Sequence, residues 1–413
     1  MLEGARQVGK TYLLETAFGG GYFDNVLKVN LQNPSKQVKE LFDGSIEPRR
    51  IIANLEILYN TKINPNKTLL FFDEVQEVPR AITALKYFYE DAPEYHVVVA
   101  GSLLGVFLRE QSPFPVGKVT TLRLEPMDFE EFLWANNREK ITDSIKADHD
   151  NRLFDELLLD LFREYLVVGG MPEAVKNWVT HHDLEQIKTI HDSIIGDYVR
   201  DFRKYTDETL ATRIRQVFDA LPNQFAKSSD KFLYGTIKDG ARARDYELAI
   251  EWLVNAGIVR RIYNVSRGDK LPLKAYADRA AFKLYFLDSG LFRQLAEISP
   301  SVILDKNAIF DEFNGLLAEQ FVLQQLSPRT AYYWTGSTTA EVDFVIQDDM
   351  RIVPIEVKGG ENVKAKSLRT YRDNYHPKLA VRFSLLNLKY NDGLLNIPLF
   401  YSFAFDELLK EYR

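Results

Sequence analysis

The stretch Gly4-Ala5-Arg6-Gln7-Val8-Gly9-Lys10-Thr11 decides how this chain begins, because it matches the pattern GxxxxGK[ST] at every fixed position. In that pattern the glycines let successive backbone N–H groups turn toward phosphate oxygens. Lys10 can then reach the β- and γ-phosphates, and the Thr11 hydroxyl can ligate Mg²⁺. A helix from Lys10 to about Thr16 would direct its positive dipole end at the same anion. The stretch therefore predicts a site for ATP with Mg²⁺.

A second motif, Leu69-Leu70-Phe71-Phe72-Asp73-Glu74, is an apolar strand that ends in two carboxylates. We expect Asp73 to hold Mg²⁺, usually through water, and Glu74 to orient or polarise the attacking water. Ser102 follows the next apolar run, where a polar side chain can sense the γ-phosphate. The alternative for Ser102 is a helix N-cap for Leu103–Arg109, and the sequence leaves both open. The catalytic residues predicted are Lys10, Glu74 and Ser102.

The region around these motifs alternates strand and helix, which predicts an α/β fold with a parallel P-loop sheet and helices on its faces. Strands are predicted over Val26–Leu31, Thr68–Phe72 and His96–Ala100, and helices over Ile51–Thr61 and Ala81–Tyr89. We assign residues 1–135 to this nucleotide-binding core.

The strand that should precede the phosphate loop is short. Only Met1, Leu2 and Glu3 stand before Gly4, whereas about five residues is the short end of usual strand lengths. We therefore expect this central first strand to be largely missing and the chain to be truncated at its N-terminus. Such a loss would leave neighbouring strands with unpaired backbone groups and a gap in the core.

The middle of the chain is predicted to be helical. Glu139–Asp150 is polar and charged, which is typical of a boundary or a long loop. Leu153–Val168 and Asp183–Lys204 have helical periodicity and are separated by the breaker Gly169–Pro172. Together they predict a helical lid over residues 152–206.

Residues 207–280 have the order of a winged helix. The predicted helices are Arg213–Leu221, Tyr234–Lys238 and Arg242–Asn255, the last ended by Gly257, and the predicted strands Ile258–Val265 and Leu273–Ala277 flank a wing at Arg267-Gly268-Asp269. Basic side chains suited to DNA phosphates occur at Lys227, Lys231, Lys238, Arg242, Arg244, Arg260, Arg261, Arg267 and Lys270. Tyr246 could add a stacking surface. Because acidic residues interrupt the patch, contacts with protein are an equal alternative.

Residues 308–413 are predicted to form a second, smaller α/β domain. Its predicted order is a helix Asp311–Leu326, strands Ala331–Trp334, Val342–Ile346 and Val353–Val357, a helix Lys364–Asn374 and a final strand Leu379–Ser384.

Within this domain, Asp343 followed by Glu356-Val357-Lys358 has the D…ExK spacing of a restriction-endonuclease-like, PD-(D/E)xK nuclease fold. Asp343, Glu356 and the helix residue Glu319 would form a second metal site, with Lys358 beside them. The alternative is solvated strand carboxylates and a same-face ion pair.

The chain resembles a bacterial and archaeal family of AAA-family ATP-binding proteins that carry a C-terminal domain of unknown function. Beyond the two nucleotide motifs, the resemblance rests on residues 72–77 (FDEVQE), 100–105 (AGSLLG), 114–118 (FPVGK) and 169–172 (GGMP), and it covers nearly the whole chain. It implies ATP binding, ATP hydrolysis and a restriction-endonuclease-like C-terminal region. Arg109 is a candidate arginine finger by position alone.

Composition limits the remaining classes of function. The chain has 413 residues, a net charge of −7 and no cysteine, so disulfides and thiolate metal sites are excluded and any DNA contact needs a local basic patch. No apolar run predicts a membrane span or signal peptide, so we expect a cytoplasmic protein. Three functions stay open: ATP hydrolysis coupled to DNA, a nucleotide-binding or interaction protein without hydrolysis, and a metal-dependent nuclease regulated by ATP. An oligomer is also open.

Overall fold

The computed structural model describes residues 1–106, 115, 117–226, 231–305, 311–336, 340–360 and 366–412. Arg109 and Lys227 lie outside these residues, as do Phe107 and Leu108 of the predicted helix Leu103–Arg109 and parts of the 114–118 motif and of the predicted Lys364–Asn374 helix. The chain has an α/β fold and divides into two compact units. Unit 1 contains Met1–Glu125 and Glu251–Ile258, and unit 2 contains Pro126–Ile250 and Val259–Arg413.

The strands of unit 1 are all parallel. They are β1 (Leu2–Glu3), β2 (Asn25–Asn30), β3 (Thr68–Asp73), β4 (His96–Val99) and β5 (Leu122–Arg123). One sheet has the order β2-β3-β4, β1 pairs with β5, and a bridge from Leu2 to Ala100 joins the two. The phosphate loop therefore follows directly after β1, a strand that has β5 on one side and Ala100 on the other. These neighbours support the start of the loop.

The two residues of β1 are paired rather than isolated. Leu122 N donates to Met1 O at 2.9 Å and Leu124 N donates to Glu3 O at 2.8 Å. The side chain of Leu2 is buried against Phe71 and Ala100. The predicted loss of pairing around a short first strand is thus wrong, because hydrogen bonds and one leucine side chain fill the position.

The helices of unit 1 cover this sheet. They are α1 (Lys10–Tyr12), which continues as a π-helix over Leu13–Gly19 into α2 (Gly20–Tyr22), then α3 (Lys36–Asp43), α4 (Pro48–Tyr59) and α5 (Pro79–Asp91). Every residue of β3 is buried, and the Phe72 ring lies 5.7 Å from Phe42 and 6.5 Å from Phe88. Burial of each such phenylalanine side chain contributes about 1.5–3 kcal/mol to the stability of the fold. This packing fixes the end of β3, where Asp73 stands.

Unit 2 begins with helices. They are α6 (Phe129–Ala135), α7 (Glu139–Ala147), α8 (Asp155–Val168), α9 (Pro172–His181), α10 (Leu184–Lys204) and α11 (Glu208–Ala226), followed by a 3-10 turn at Tyr234–Thr236 and α12 (Ala243–Asn255), whose last residues belong to unit 1. Gly257, after α12, has φ +75°, the left-handed conformation predicted for it.

Two helices differ from the sequence prediction. Glu139–Asp150 was expected to be a loop, but α7 forms because Thr142 and Ile145 are buried on one face while its charged residues face outward. Thr142 also accepts a hydrogen bond from Trp134 Nε1 at 3.3 Å. The breaker at Gly169–Pro172 separates α8 from α9, a helix that the periodicity did not predict.

A mixed eight-stranded sheet forms the rest of unit 2. Its strands are β6 (Val259–Val265), β7 (Ala277–Phe286), β8 (Ala331–Thr335), β9 (Glu341–Asp348), β10 (Arg351–Val357), β11 (Ala380–Ser384), β12 (Lys389–Asn391) and β13 (Leu394–Pro398), in the order β12-β13-β11-β10-β9-β8-β6-β7. The helices are α13 (Ser289–Leu295), α14 (Pro300–Leu304), α15 (Asp311–Gln325), α16 (Lys366–Tyr375) and α17 (Phe405–Glu411), with 3-10 segments at Leu273–Tyr276 and Leu399–Ala404.

The second strand of the wing differs from its prediction. Leu273–Tyr276 is a 3-10 segment with Leu273 buried, and the strand that pairs with β6 is β7, which runs on to Phe286. The strand β6 is also joined to β8 through Asn264 and Tyr333, so the hairpin and the C-terminal strands share one sheet. Strands β12 and β13 follow the strand that was expected to be last.

Candidate nucleotide site

The phosphate loop is held open by its backbone conformations. Gly9 has φ +94° and Gln7 has φ +67°, the left-handed region that lets consecutive N–H groups point the same way. Gly4 has φ +149°, and a Cβ there would lie 2.3 Å from the carbonyl oxygen of Leu124. The first and last glycines of the motif are therefore required by geometry.

Lys10 lies inside this loop with only 8% of its surface exposed. Its Nζ donates to the carbonyl oxygens of Gly4 at 2.9 Å and Ala5 at 2.6 Å. Burial lowers the pKa of Lys10 to about 8, and Glu74 and Asp73 oppose that effect while Arg6 adds to it. A buried ammonium group whose hydrogen-bond acceptors among the described residues are carbonyl oxygens is stabilised by any anion that enters the loop.

Asp73 and Thr11 meet at the end of β3. Thr11 Oγ1 donates to Asp73 Oδ2 at 3.2 Å, and Glu74 N donates to Asp73 Oδ1 at 3.1 Å. A hydroxyl and a carboxylate oxygen are the hard ligands that Mg²⁺ takes together with phosphate oxygens and water. The donor set therefore fits Mg²⁺ bound with a nucleotide.

Glu74 is fixed by three contacts and an unusual backbone. Its φ is +53°, which is uncommon for a residue with a Cβ. Its Oε2 accepts from Gln76 Nε2 at 2.5 Å, from Ser102 Oγ at 3.2 Å and from Ser102 N at 3.4 Å. The structure thus brings Ser102 against Glu74, the residue expected to orient water.

Two residues at this site were not predicted from the sequence. Gln76 is 2% exposed and its Oε1 has no hydrogen-bond partner among the described residues. Lys28, on β2, has its Nζ 3.4 Å from Asp73 Oδ2 and 3.1 Å from Glu15 Oε2. The only sequence signal for Lys28 was a charged residue inside the apolar strand Val26–Leu31.

A second group of ionisable residues lies in unit 2. Asp343 on β9 and Glu356 on β10 occupy adjacent antiparallel strands, and Asp343 Oδ2 accepts from Val357 N at 2.7 Å. Lys358 Nζ lies 2.6 Å from Glu356 Oε1. Glu319, on α15, accepts from the Tyr285 hydroxyl at 3.1 Å. Lys283 and Glu341 form an ion pair beside them. We call these residues together the carboxylate cluster: Asp343, Glu356, Lys358, Glu319, Lys283 and Glu341.

Burial raises the pKa of each of the three inner carboxyls. The pKa of Glu319 rises to about 8 and that of Glu356 to about 7, mainly by burial and then by the charge of Asp343, whose own pKa is also raised by burial. Glu356 Oε2 has no hydrogen-bond partner in the described part of the chain. Even so, the described residues contain no group of three or more acidic or histidine side chains arranged to hold a metal ion.

The predicted basic patch is only partly available for contact. Arg260 donates to the carbonyl oxygen of Leu323 at 3.1 Å, and Arg261 lies over the Tyr263 ring. Tyr246 is buried and its hydroxyl donates to Gln216 Oε1, so the prediction that Tyr246 offers a stacking surface is wrong. The exposed members are Lys231, Lys238, Arg242, Arg244, Arg267 and Lys270.

The fold and the loop geometry define the class of the N-terminal unit. Residues 1–133 match a family model described as an AAA domain, and this match supports a P-loop fold of the AAA type for this part of the chain. Such a fold implies use of a nucleotide, typically with Mg²⁺. Residues 159–302 and 314–401 match two further models, each described as a domain of unknown function (DUF8612 and DUF4143).

Solved structures with some similarity include a Walker-type ATPase of Pyrococcus abyssi, at 14% identity and a TM-score of 0.42, covering 71% of this chain and 89% of that one. Another is the Orc1 protein of Aeropyrum pernix in complex with DNA, at 14% identity and a TM-score of 0.27, covering 72% of this chain and 86% of that one. No curated protein matches the chain. Within the described residues, no helix is both long and apolar enough to cross a membrane.

Proposed function

We propose that this chain binds ATP with Mg²⁺ at residues 4–11 and hydrolyses it. The observation that carries the proposal is the arrangement at the end of β3. There Thr11 is hydrogen-bonded to Asp73, and Glu74 is held by Ser102 and Gln76 next to the loop that contains Lys10. Each of these groups has a role in phosphoryl transfer that depends on position rather than on covalent chemistry.

Lys10 acts first in this scheme. When a triphosphate enters the loop, the Lys10 ammonium leaves the carbonyl oxygens of Gly4 and Ala5 and contacts the β- and γ-phosphates. Exchange of neutral acceptors for phosphate oxygens strengthens its hydrogen bonds and restores its preference for the charged form. Bound Mg²⁺ would be held by Thr11 and Asp73 and would neutralise charge that develops on the phosphates.

Glu74 then orients the attacking water. One of its oxygens is occupied by Gln76 and Ser102, which leaves Oε1 to accept a proton from water. In the same scheme the Ser102 hydroxyl, which donates a hydrogen bond to Glu74 Oε2, senses the γ-phosphate. Ser102 would thereby link the presence of the γ-phosphate to the position of the base.

Calorimetric titration with Mg-ATP, followed by a phosphate-release assay, tests the proposal on three proteins. The wild type should bind and hydrolyse ATP. Lys10→Ala should lose binding, and Glu74→Gln, which keeps the size and hydrogen bonds of the side chain, should bind ATP but release phosphate at least about 100-fold more slowly. Binding without hydrolysis by the wild type would instead favour the interaction-protein alternative.

A metal-dependent nuclease is the second candidate, and the carboxylate cluster is the observation that favours it. Asp343 and Glu356 are neighbours on adjacent strands with Lys358 beside them, as the D…ExK spacing requires. Incubating linear and circular DNA with Mg²⁺ or Mn²⁺ tests this function. Cleavage by the wild type that is lost in Asp343→Asn but kept in Asp349→Asn, a nearby turn residue, would support it.

The finer division of the chain belongs to the same proposal. We assign residues 1–135 to the ATPase core, 152–206 to a lid, 207–280 to a winged helix and 308–413 to the nuclease-like part, and we propose DNA as a partner in a cytoplasmic setting. Exposed basic residues near the wing support DNA binding. Salt-dependent DNA binding that weakens in Lys238→Ala with Arg242→Ala is the expected result, and equal binding by both proteins would oppose it.

A further inference from the structure

Lys28 forms a bridge between two carboxylates beside the predicted Mg²⁺ ligands. Its Nζ lies 3.1 Å from Glu15 Oε2 and 3.4 Å from Asp73 Oδ2. The Lys28 side chain is 28% exposed and that of Asp73 is 12% exposed, whereas Glu15 is 45% exposed. The ammonium group therefore has one buried partner at the site and one more exposed partner outside it.

The position of Lys28 follows from the register of the sheet. Lys28 on β2 is paired with Phe71 on β3, and its Nζ lies 5.6 Å from the centre of the Phe71 ring. Its aliphatic stem therefore crosses β3 toward the strand end that carries Asp73. Glu15 approaches from the π-helical segment that follows the phosphate loop.

The oxygen atom that Lys28 faces is the one expected to face Mg²⁺. Asp73 Oδ2 is the same atom that accepts from Thr11 Oγ1, whereas Asp73 Oδ1 is occupied by Glu74 N. A divalent ion bound by Thr11 and Asp73 would lie within a few ångströms of the Lys28 ammonium. Two cations at that separation repel each other in a partly buried site.

We propose that Lys28 is a positioning residue that acts as a displaceable counter-ion for Asp73. Without metal it neutralises Asp73, and when Mg²⁺ enters with the nucleotide it moves onto Glu15 alone. Lys28 thus raises the Mg²⁺ concentration needed for nucleotide binding, and Glu15 lowers it by accepting the displaced ammonium. This inference rests on the proposed Mg-ATP site.

Replacing Lys28 and replacing Glu15 should change the Mg²⁺ requirement in opposite directions, which makes the inference testable. Lys28→Met removes the competing charge and should lower the Mg²⁺ concentration for half-maximal ATP binding about fivefold, the size expected for a partly exposed ion pair. Glu15→Gln removes the alternative partner and should raise that concentration severalfold. The double variant should behave like Lys28→Met, because Glu15 acts through Lys28.

The experiment is a calorimetric ATP titration at a series of free Mg²⁺ concentrations, with thermal melting of each protein without ligand. Lys67→Met is the matched control, since Lys67 forms an exposed ion pair with Asp24 in the same unit. Lys28→Met should melt slightly lower than wild type without ligand yet show a larger upward shift with Mg-ATP. Glu15→Gln changes a half-exposed side chain and provides a second variant that should fold.

Two results would overturn the inference while leaving the proposed function intact. A weaker affinity of Lys28→Met for ATP at saturating Mg²⁺ would make Lys28 a phosphate ligand instead. A change of the same sign in Lys28→Met and Glu15→Gln, or no change in either, would exclude displacement. Absence of ATP binding by the wild type at every Mg²⁺ concentration would overturn the proposed function and this inference together.

Discussion

The nucleotide site and the carboxylate cluster are opposite solutions to burying charge. In unit 1 the buried group is a cation, Lys10, whose pKa burial lowers to about 8. In unit 2 the buried groups are carboxyls, and burial raises the pKa of Glu319 to about 8 and that of Glu356 to about 7. In each site burial disfavours the charged form of the buried group, so a ligand of the opposite sign would stabilise that charged form.

The two sites differ in whether the protein itself already places a group of opposite charge beside the buried one. In unit 1, Lys10 donates to backbone carbonyls and the left-handed residues of the loop direct N–H groups toward an incoming anion. In unit 2, Lys283 and Lys358 already lie against Glu341 and Glu356. The nucleotide site is therefore prepared for a ligand from outside, whereas the cluster is largely neutralised from within.

Replacing Lys10 by Met should produce the largest effect. The affinity for ATP should fall at least about 100-fold, because the β- and γ-phosphates lose their charged donor. The unliganded protein should become more stable, by at most about 3 kcal/mol, because a buried ammonium with a lowered pKa is removed. Calorimetry measures the first change and thermal melting the second.

Lys67→Met is the control for Lys10→Met, since it removes one exposed lysine charge from the same unit. It should leave both ATP affinity and melting temperature unchanged. Lower stability of the unliganded Lys10→Met protein would mean that the hydrogen bonds to Gly4 and Ala5 outweigh the cost of burying the charge. The contrast between the two sites would then be lost.

Gly101→Ala should produce the next largest effect. A Cβ at position 101 would lie 2.0 Å from Gln76 Oε1, so the buried Gln76 side chain must move and release Glu74. The rate of ATP hydrolysis should fall about tenfold or more while ATP affinity stays close to that of the wild type. Steady-state phosphate release and a nucleotide titration measure the two quantities.

Gly21→Ala is the control for Gly101→Ala, because a Cβ at position 21 would have no atom within 4 Å. It should leave the hydrolysis rate unchanged. If Gly101→Ala also keeps the wild-type rate, the contact between Gln76 and Glu74 does not position the catalytic base.

The sequence predicted the parts of the molecule that depend on local spacing. Residues 4–11 and 69–74 each lie on one loop or strand, so their pattern alone predicts the placement of Lys10 and Asp73. Asp343 and Glu356 were also brought together as their strand pattern required. What it could not predict was the contribution of residues distant in sequence, such as Lys28 at one site or Lys283 and Tyr285 at the other, or the burial that holds Gln76 against Glu74 two residues before it.

The errors have a common physical cause. The helix α7 was missed because only Thr142 and Ile145 mark its buried face, and most of its other residues are polar. The wing strand was placed too early because Leu273 is buried in a 3-10 turn, which also needs an apolar residue. In both cases tertiary burial, which periodicity does not contain, selected the local conformation.

Glu319→Gln should produce the smallest effect and tests the cluster through pH. The folded pKa of Glu319, about 8, lies above the ordinary value of 4.5, so folding favours the protonated form. Its contribution to stability is fully present below pH 4.5 and is lost as the pH rises through about 8. The amide that replaces the carboxyl cannot ionise, and its oxygen can still accept from Tyr285. The variant should therefore match the wild type near pH 5 and exceed it at pH 9 by about 1–2 kcal/mol.

Thermal melting of both proteins from pH 5 to pH 9 measures this difference, and Glu247→Gln, an exposed carboxylate in unit 2, is the control. The control should show the same difference from wild type at every pH. If the Glu319→Gln difference is also independent of pH, then Lys283 and Tyr285 stabilise the ionised carboxylate as well as the protonated one. Unit 2 would in that case carry a permanent negative charge at Glu319, and the cluster would be a stronger candidate for binding a cation from outside.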